Sequence, residues 1–147
     1  MRKLIGCMAI VVLGVLAAVA ARADDQPNLR IVATNLKSDK GSVIVWVYDK
    51  SDDWLSDRFR TQKSVVVAGH RVDGNVTLEL KLPAGEYAFS VFQDEDNDGK
   101  LARNMFGLPK EPAGLSNNLR PHFGPPRYKD AKFTLGAALL EQKIKLN

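Results

Sequence analysis

The sequence predicts an all-β domain, an antiparallel sandwich of about seven strands with one long Gly/Pro-rich loop. Three observations carry this reading. Apolar residues alternate, or run together, in short segments along the chain. Turn residues stand between most of those segments. No long segment repeats its apolar residues at the helical period of 3.6.

The elements follow in chain order. Residues 28–36 place Leu29, Ile31 and Ala33 on one face. Residues 42–48 (SVIVWVY) are a continuous β-branched and aromatic run, as a strand buried on both faces requires. Trp46 lies inside this run and is expected in the core. Gly41 before it and Asp49-Lys50 after it mark its ends. Residues 51–60 are the one place where a short helix is expected. Ser51 is placed to cap it, Asp52 and Asp53 fall in its first turn, and Leu55 and Phe59 share a face. Trp54 is expected to cover an end of the sandwich. Residues 64–72 read as another buried run, with His70 at an edge or in the core. Asp73-Gly74 signals a tight hairpin turn. Residues 75–82 alternate, with Val76, Leu78, Leu80 and Leu82 facing in. Pro83-Ala84-Gly85 turns the chain. Residues 86–93 place Tyr87, Phe89 and Val91 on one face. Residues 128–135 and 138–146 read as the last two strands.

The segment 94–127 breaks this rhythm. It holds five of the seven prolines: Pro109, Pro112, Pro121, Pro125 and Pro126. Loops this long are uncommon inside compact domains and are often functional. Leu101, Met105, Phe106, Leu108, Leu115, Leu119 and Phe123 are expected to pin it against the sandwich.

The start of the chain sets the compartment. Arg2 and Lys3 precede an uncharged apolar run over residues 4–21, and Ala21-Arg22-Ala23 then offers a small-x-small cleavage pattern. This is the layout of a secretion signal over residues 1–23, leaving residues 24–147 as one domain, periplasmic or secreted. An uncleaved membrane anchor is the alternative, since the run is near spanning length. The expected product has no membrane span after cleavage. The only cysteine, Cys7, leaves with the signal, so neither a disulfide nor a thiolate metal site is expected. The whole chain has 21 basic and 17 acidic residues, a net charge of +4. Without Arg2, Lys3 and Arg22 it has 18 basic residues against the same 17 acidic. No basic cluster remains that asks for nucleic acid.

Asp94-Glu95-Asp96-Asn97-Asp98-Gly99-Lys100 is the sharpest motif. It matches the first half of a calcium loop, in which alternate carboxylates surround a hard cation. Asp94, Asp96 and Asp98 are the expected side-chain ligands and Lys100 the expected carbonyl ligand. Gly99 allows the bend. The second half fails, because the twelfth position is Met105 and not a bidentate glutamate. Asn104, Glu111 or water has to supply the missing oxygens. The competing reading is a solvated acidic turn. Further on, Ser116, Asn117 and Asn118 follow a stretch broken by Gly and Pro. They serve as loop scaffolding, or as ligand-binding groups that read sugar hydroxyls.

Enzyme chemistry finds little in the chain. His70 and His122 are the only histidines, without zinc-ligand spacing. No serine lies in a nucleophile elbow.

The ordered blocks Leu82-Pro83-Ala84-Gly85-Glu86-Tyr87-Ala88-Phe89, Gln93-Asp94 through Gly99-Lys100-Leu101, Asn104-Met105-Phe106-Gly107-Leu108-Pro109-Lys110-Glu111 and Gly114-Leu115-Ser116-Asn117-Asn118 carry a resemblance. With them, nearly all of the chain after the signal resembles a bacterial secreted family, domain of unknown function 2141. The resemblance implies export and a Greek-key sandwich of the prealbumin-like or immunoglobulin-like kind. It implies no catalytic residues. One departure stands out: Ala102, followed by Arg103, occupies a place where the family often has an acid.

The expectation is therefore an exported, non-enzymatic binding or structural module. Its 94–127 loop is the working surface, ordered by one calcium ion. Its partner is an envelope or extracellular component, or a carbohydrate. The alternatives are a carbohydrate-active hydrolase using loop carboxylates and an envelope adhesion or assembly partner.

Overall fold

Alternating side chains can bury one face of a strand only against a second layer. The computed structural model describes residues 25–147 and shows that second layer. The expected signal at residues 1–23 lies outside the described residues. The strands are β1 (Leu29–Thr34), β2 (Ser42–Tyr48), β3 (Thr61–Val66), β4 (Val76–Leu80), β5 (Gly85–Asp94), β6 (Ala113–Leu115), β7 (Phe133–Leu135) and β8 (Leu140–Lys145). One sheet runs β4-β1-β8 and the other β3-β2-β5-β6, with β7 also on β5. The fold is an all-β sandwich. The chain changes sheet after β1, β3, β4 and β7. All pairs are antiparallel except β1 with β8, which is parallel. A parallel neighbour needs a long crossover, and the other sheet, traversed between β1 and β8, provides it.

The inner faces meet in one core. Leu29, Ile31 and Ala33 of β1 and Val76, Leu78 and Leu80 of β4 face Val43, Val45 and Val47 of β2 and Tyr87, Phe89 and Val91 of β5. Ile144 and Leu146 close the side near β8. Each such large side chain contributes roughly 1.5–3 kcal/mol on burial.

The continuous run in β2 is buried on both faces, as its composition predicts. Trp46, however, is not in the inner core. It lies half-buried on the outer face, stacked on Phe59 at 5.2 Å and edge-on to Phe92 at 5.0 Å. Its strand neighbours Val45 and Val47 take the inner positions, and strand alternation sends Trp46 outward. Tyr48 points the same way and meets Trp54 edge-on, while its hydroxyl donates to the Ser56 carbonyl at 2.9 Å. Trp54 also packs on Tyr128, and its Nε1–H donates to the Pro126 carbonyl at 2.9 Å. The second face of the sheet is thus covered by the β2–β3 connection and by the end of the long loop.

Several expectations are corrected. The helix over 51–60 reduces to one 3-10 turn, Ser51–Asp53, without a side-chain cap from Ser51. Leu55 takes φ 59°, which ends any helix there. The strand at 64–72 begins and ends earlier, at Thr61–Val66, and is an edge strand with its side chains largely in water. His70 sits exposed in the turn after it. Residues 128–131 form a single helical turn, α1 (Tyr128–Ala131), ahead of β7. Leu101, Leu115 and Leu119 are half-buried, but Met105, Phe106, Leu108 and Phe123 are not anchors at all: they stand in water.

The long loop is held instead by β6 and by close backbone packing. A Cβ on Gly114 would lie 2.5 Å from Ile144 Cγ2 and 3.3 Å from the Lys145 carbonyl oxygen. Gly114→Ala is therefore expected to destabilise the protein by about 1–2 kcal/mol through overpacking. A denaturant midpoint measured with and without the substitution checks this.

Candidate functional site

The acidic turn grows from the end of β5. Asp94 is the last residue of that strand, pairs with Ser42 of β2 and is 1% exposed. A buried carboxylate needs donors. It finds them in the turn that follows: Oδ1 accepts from the Asp98 N–H at 3.2 Å and Oδ2 from the Gly99 N–H at 2.9 Å. Asn97 and Gly99 adopt positive φ, 58° and 73°, which folds the turn back over Asp94. The Ser42 hydroxyl donates to Asn97 Oδ1 at 3.2 Å and fixes the turn to β2.

Glu111 arrives from the far side of the loop. Its Oε1 accepts from the Glu95 N–H at 3.1 Å and its Oε2 from the Ala102 N–H at 3.3 Å. One oxygen each of Asp94, Asp96 and Glu111 then lies within 4.8 Å of the others. None of these three forms an ion pair with a lysine or arginine among the described residues. Burial pushes the Glu111 carboxyl above the ordinary glutamate range, its two backbone donors lower it, and the charges of Asp94 and Asp96 raise it further. Glu111 alone thus favours the fold at low pH, and that contribution is lost as pH rises through its titration. Glu95 behaves oppositely. The Ser38 hydroxyl, donating at 2.7 Å, and then the Lys37 ammonium hold it below the usual value.

The expected site residues divide clearly. Asp94, Asp96 and Glu111 converge. Asp98 is turned to the Lys100 N–H, which it accepts at 2.8 Å. Lys100 is exposed. Asn104 spends its side-chain oxygen on the N–H groups of Phe106 and Leu108, at 2.9 and 3.0 Å. Ser116 is buried, donating to the Ala131 carbonyl at 2.7 Å and accepting from the Phe89 N–H at 3.0 Å. Asn117 donates to the carbonyls of Ala131 and Lys132, and Asn118 accepts from the Lys145 N–H. These last three residues fasten the loop to α1, β5 and β8.

Two residues outside the expected set position the turn. Gly41 lies against it at φ 71°, where a Cβ would fall 1.8 Å from the Asp94 carbonyl oxygen. Gln93 is fully buried and bonds the 37–40 segment four ways. Its Nε2 donates to the Ser38 carbonyl, the Ser38 hydroxyl and the Lys40 carbonyl, and its Oε1 accepts from the Lys37 N–H at 2.9 Å. Neither role carries a local signal in the sequence, since each depends on a contact between segments far apart in the chain.

Two shallow grooves, of about 400 and 320 Å³, lie away from the acidic turn, and Asn117 and Asn118 line the first. The first runs between Phe133 and Lys143, the second between Asn35 and Pro112. Neither is lined by an aspartate or glutamate.

No curated protein and no solved structure matches the chain. A family described as an uncharacterised protein conserved in bacteria matches residues 31–143. That span covers the sandwich from β1 into β8, together with the acidic turn and the loop that returns Glu111 to it, and the chain belongs to this family, domain of unknown function 2141.

Proposed function

We propose that the protein is an exported, non-enzymatic binding module whose acidic turn holds one calcium ion. The observation that carries the reading is the return of Glu111. The half-motif at 94–99 lacks a late acid, and the loop brings one back to Asp94 and Asp96 from the other side. Carboxylate oxygens grouped without a counter-charge suit a hard divalent cation. Carbonyl groups and water complete its shell. Export rests on the charged, apolar and small-residue pattern of residues 1–23.

Calcium is expected to raise the melting temperature. At a concentration about tenfold above the dissociation constant the gain is roughly 1.4 kcal/mol. The gain should fade as pH falls through the raised Glu111 titration, because protons and the cation compete for the same carboxylate. Asp96→Asn keeps an oxygen for the Asp98 N–H but removes one ligand charge. It should leave the melting temperature in chelator nearly unchanged and remove most of the calcium response. Equal melting of the parent protein in calcium and in chelator ends the proposal.

A further inference from the structure

Beyond the acidic turn, residues 102–110 fold back as a hairpin tip. The Lys110 N–H donates to the Ala102 carbonyl at 2.8 Å, and the Asn104 N–H to the Leu108 carbonyl at 2.8 Å. The Gly107 N–H donates to the Asn104 carbonyl at 2.9 Å, with Gly107 at φ 75°. Asn104 Oδ1 takes the N–H groups of Phe106 and Leu108, and the Arg103 guanidinium donates to the Gly107 carbonyl at 2.9 Å. Five N–H groups of the tip, those of Asn104, Phe106, Gly107, Leu108 and Lys110, are thus bonded within it. Amides bonded within the tip lower the cost of bringing its backbone against an apolar layer.

The side chains present the opposite face. Met105, Phe106 and Leu108 are 91%, 80% and 61% exposed. Three large apolar groups held in water on one ordered turn mark an interaction site. Lys100, Arg103 and Lys110, close to them in the chain, are exposed as well. A protein pocket can take apolar groups, but exposed cations on the same loop as an apolar tip match an anionic headgroup layer above acyl chains.

We propose that this tip docks on an anionic phospholipid bilayer, with Met105, Phe106 and Leu108 in the interface and Lys100, Arg103 and Lys110 at the headgroups. The inference goes beyond the calcium reading, since none of these residues belongs to the converging carboxylates. Those carboxylates stand at the base of the same hairpin, through the Glu111–Ala102 bond, so a bound cation strengthens docking by removing their repulsion.

Vesicle co-sedimentation tests it, using the chain without residues 1–23, which keeps every strand of both sheets. Vesicles of equal parts phosphatidylcholine and phosphatidylglycerol are compared with phosphatidylcholine alone, each in chelator and in calcium. Docking predicts sedimentation with the anionic vesicles that high salt weakens. Phe106→Ser should lower it about tenfold with no change in melting temperature, and Lys110→Ser roughly fivefold. Equal binding in chelator and calcium supports docking and counts only against the ion, so the two readings fail separately. No sedimentation in any arm, equal binding to neutral vesicles, or full binding by the Phe106 variant overturns the proposal. The first of these leaves the tip to a protein partner.

Discussion

Replacing Gly41 with alanine is expected to destabilise the protein by about 2–5 kcal/mol and to abolish its calcium response. Two effects add. A left-handed φ of 71° costs a residue with a Cβ about 1–2 kcal/mol. The new methyl group also meets backbone, at 1.8 Å from the Asp94 oxygen and 2.7 Å from Glu95 Cα. Backbone cannot swing aside as a side chain can, so overpacking adds about 1–3 kcal/mol. The atoms that must move are those that launch the acidic turn. The melting temperature should fall by on the order of 10 °C, and calcium should not restore it. A melt within a degree or two of the parent would show that the two segments do not touch as described.

Gln93→Met is the second large effect. Methionine keeps an unbranched chain of similar length but makes none of the bonds. The Lys37 N–H and the carbonyls of Ser38 and Lys40 then lose their partner. A polar group left unpaired costs about 1–3 kcal/mol when buried. The 37–40 segment lies partly in water, so the expected total is about 2–4 kcal/mol. The loss should be local in its first stage. Hydrogen exchange should quicken at Lys37 and in the acidic turn, because Ser38 also holds Glu95, while β1 and β4 keep their protection. Uniform exchange through both sheets would contradict this placement.

These two residues show where sequence reading ends. The strands were legible wherever one face is buried and the other wet. Val76, Leu78 and Leu80 alternate with Thr77 and Glu79, and the structure buries the first set only. Asp73-Gly74 was legible because both residues must take positive φ in the tight turn, and both do. The run at 64–72 was misread because an apolar string looks alike at the centre and at the edge of a sheet. Val67 is buried, but Val66 is 53% exposed because β3 has a neighbour on one side only. Residues 128–131 form one helical turn, too short for any periodicity to reveal.

The candidate site was legible in part for similar reasons. Asp94 and Asp96 share a local motif whose spacing is itself the signal. Glu111 was legible only as one of several candidate donors, since its approach depends on the path of the whole loop. Gly41 read as punctuation before β2. Its close approach to Asp94 comes from pairing between β2 and β5, a contact between residues far apart in the chain. Gln93 read as the polar end of a strand, because nothing local says that the 37–40 segment will cover it. Met105, Phe106 and Leu108 read as anchors on the general rule that large apolar groups seek the interior. Their exposure follows from the hairpin tip, which turns them away from the sandwich.

The most direct test of the cation site is a calcium titration followed by amide resonances of the folded domain. The carboxylate geometry predicts that signals of residues 94–100, 102 and 111 move together and saturate at a single ion per chain, while those of β1 and β4 stay in place. An unchanged spectrum, or weak shifts spread over exposed acids without saturation, would contradict it.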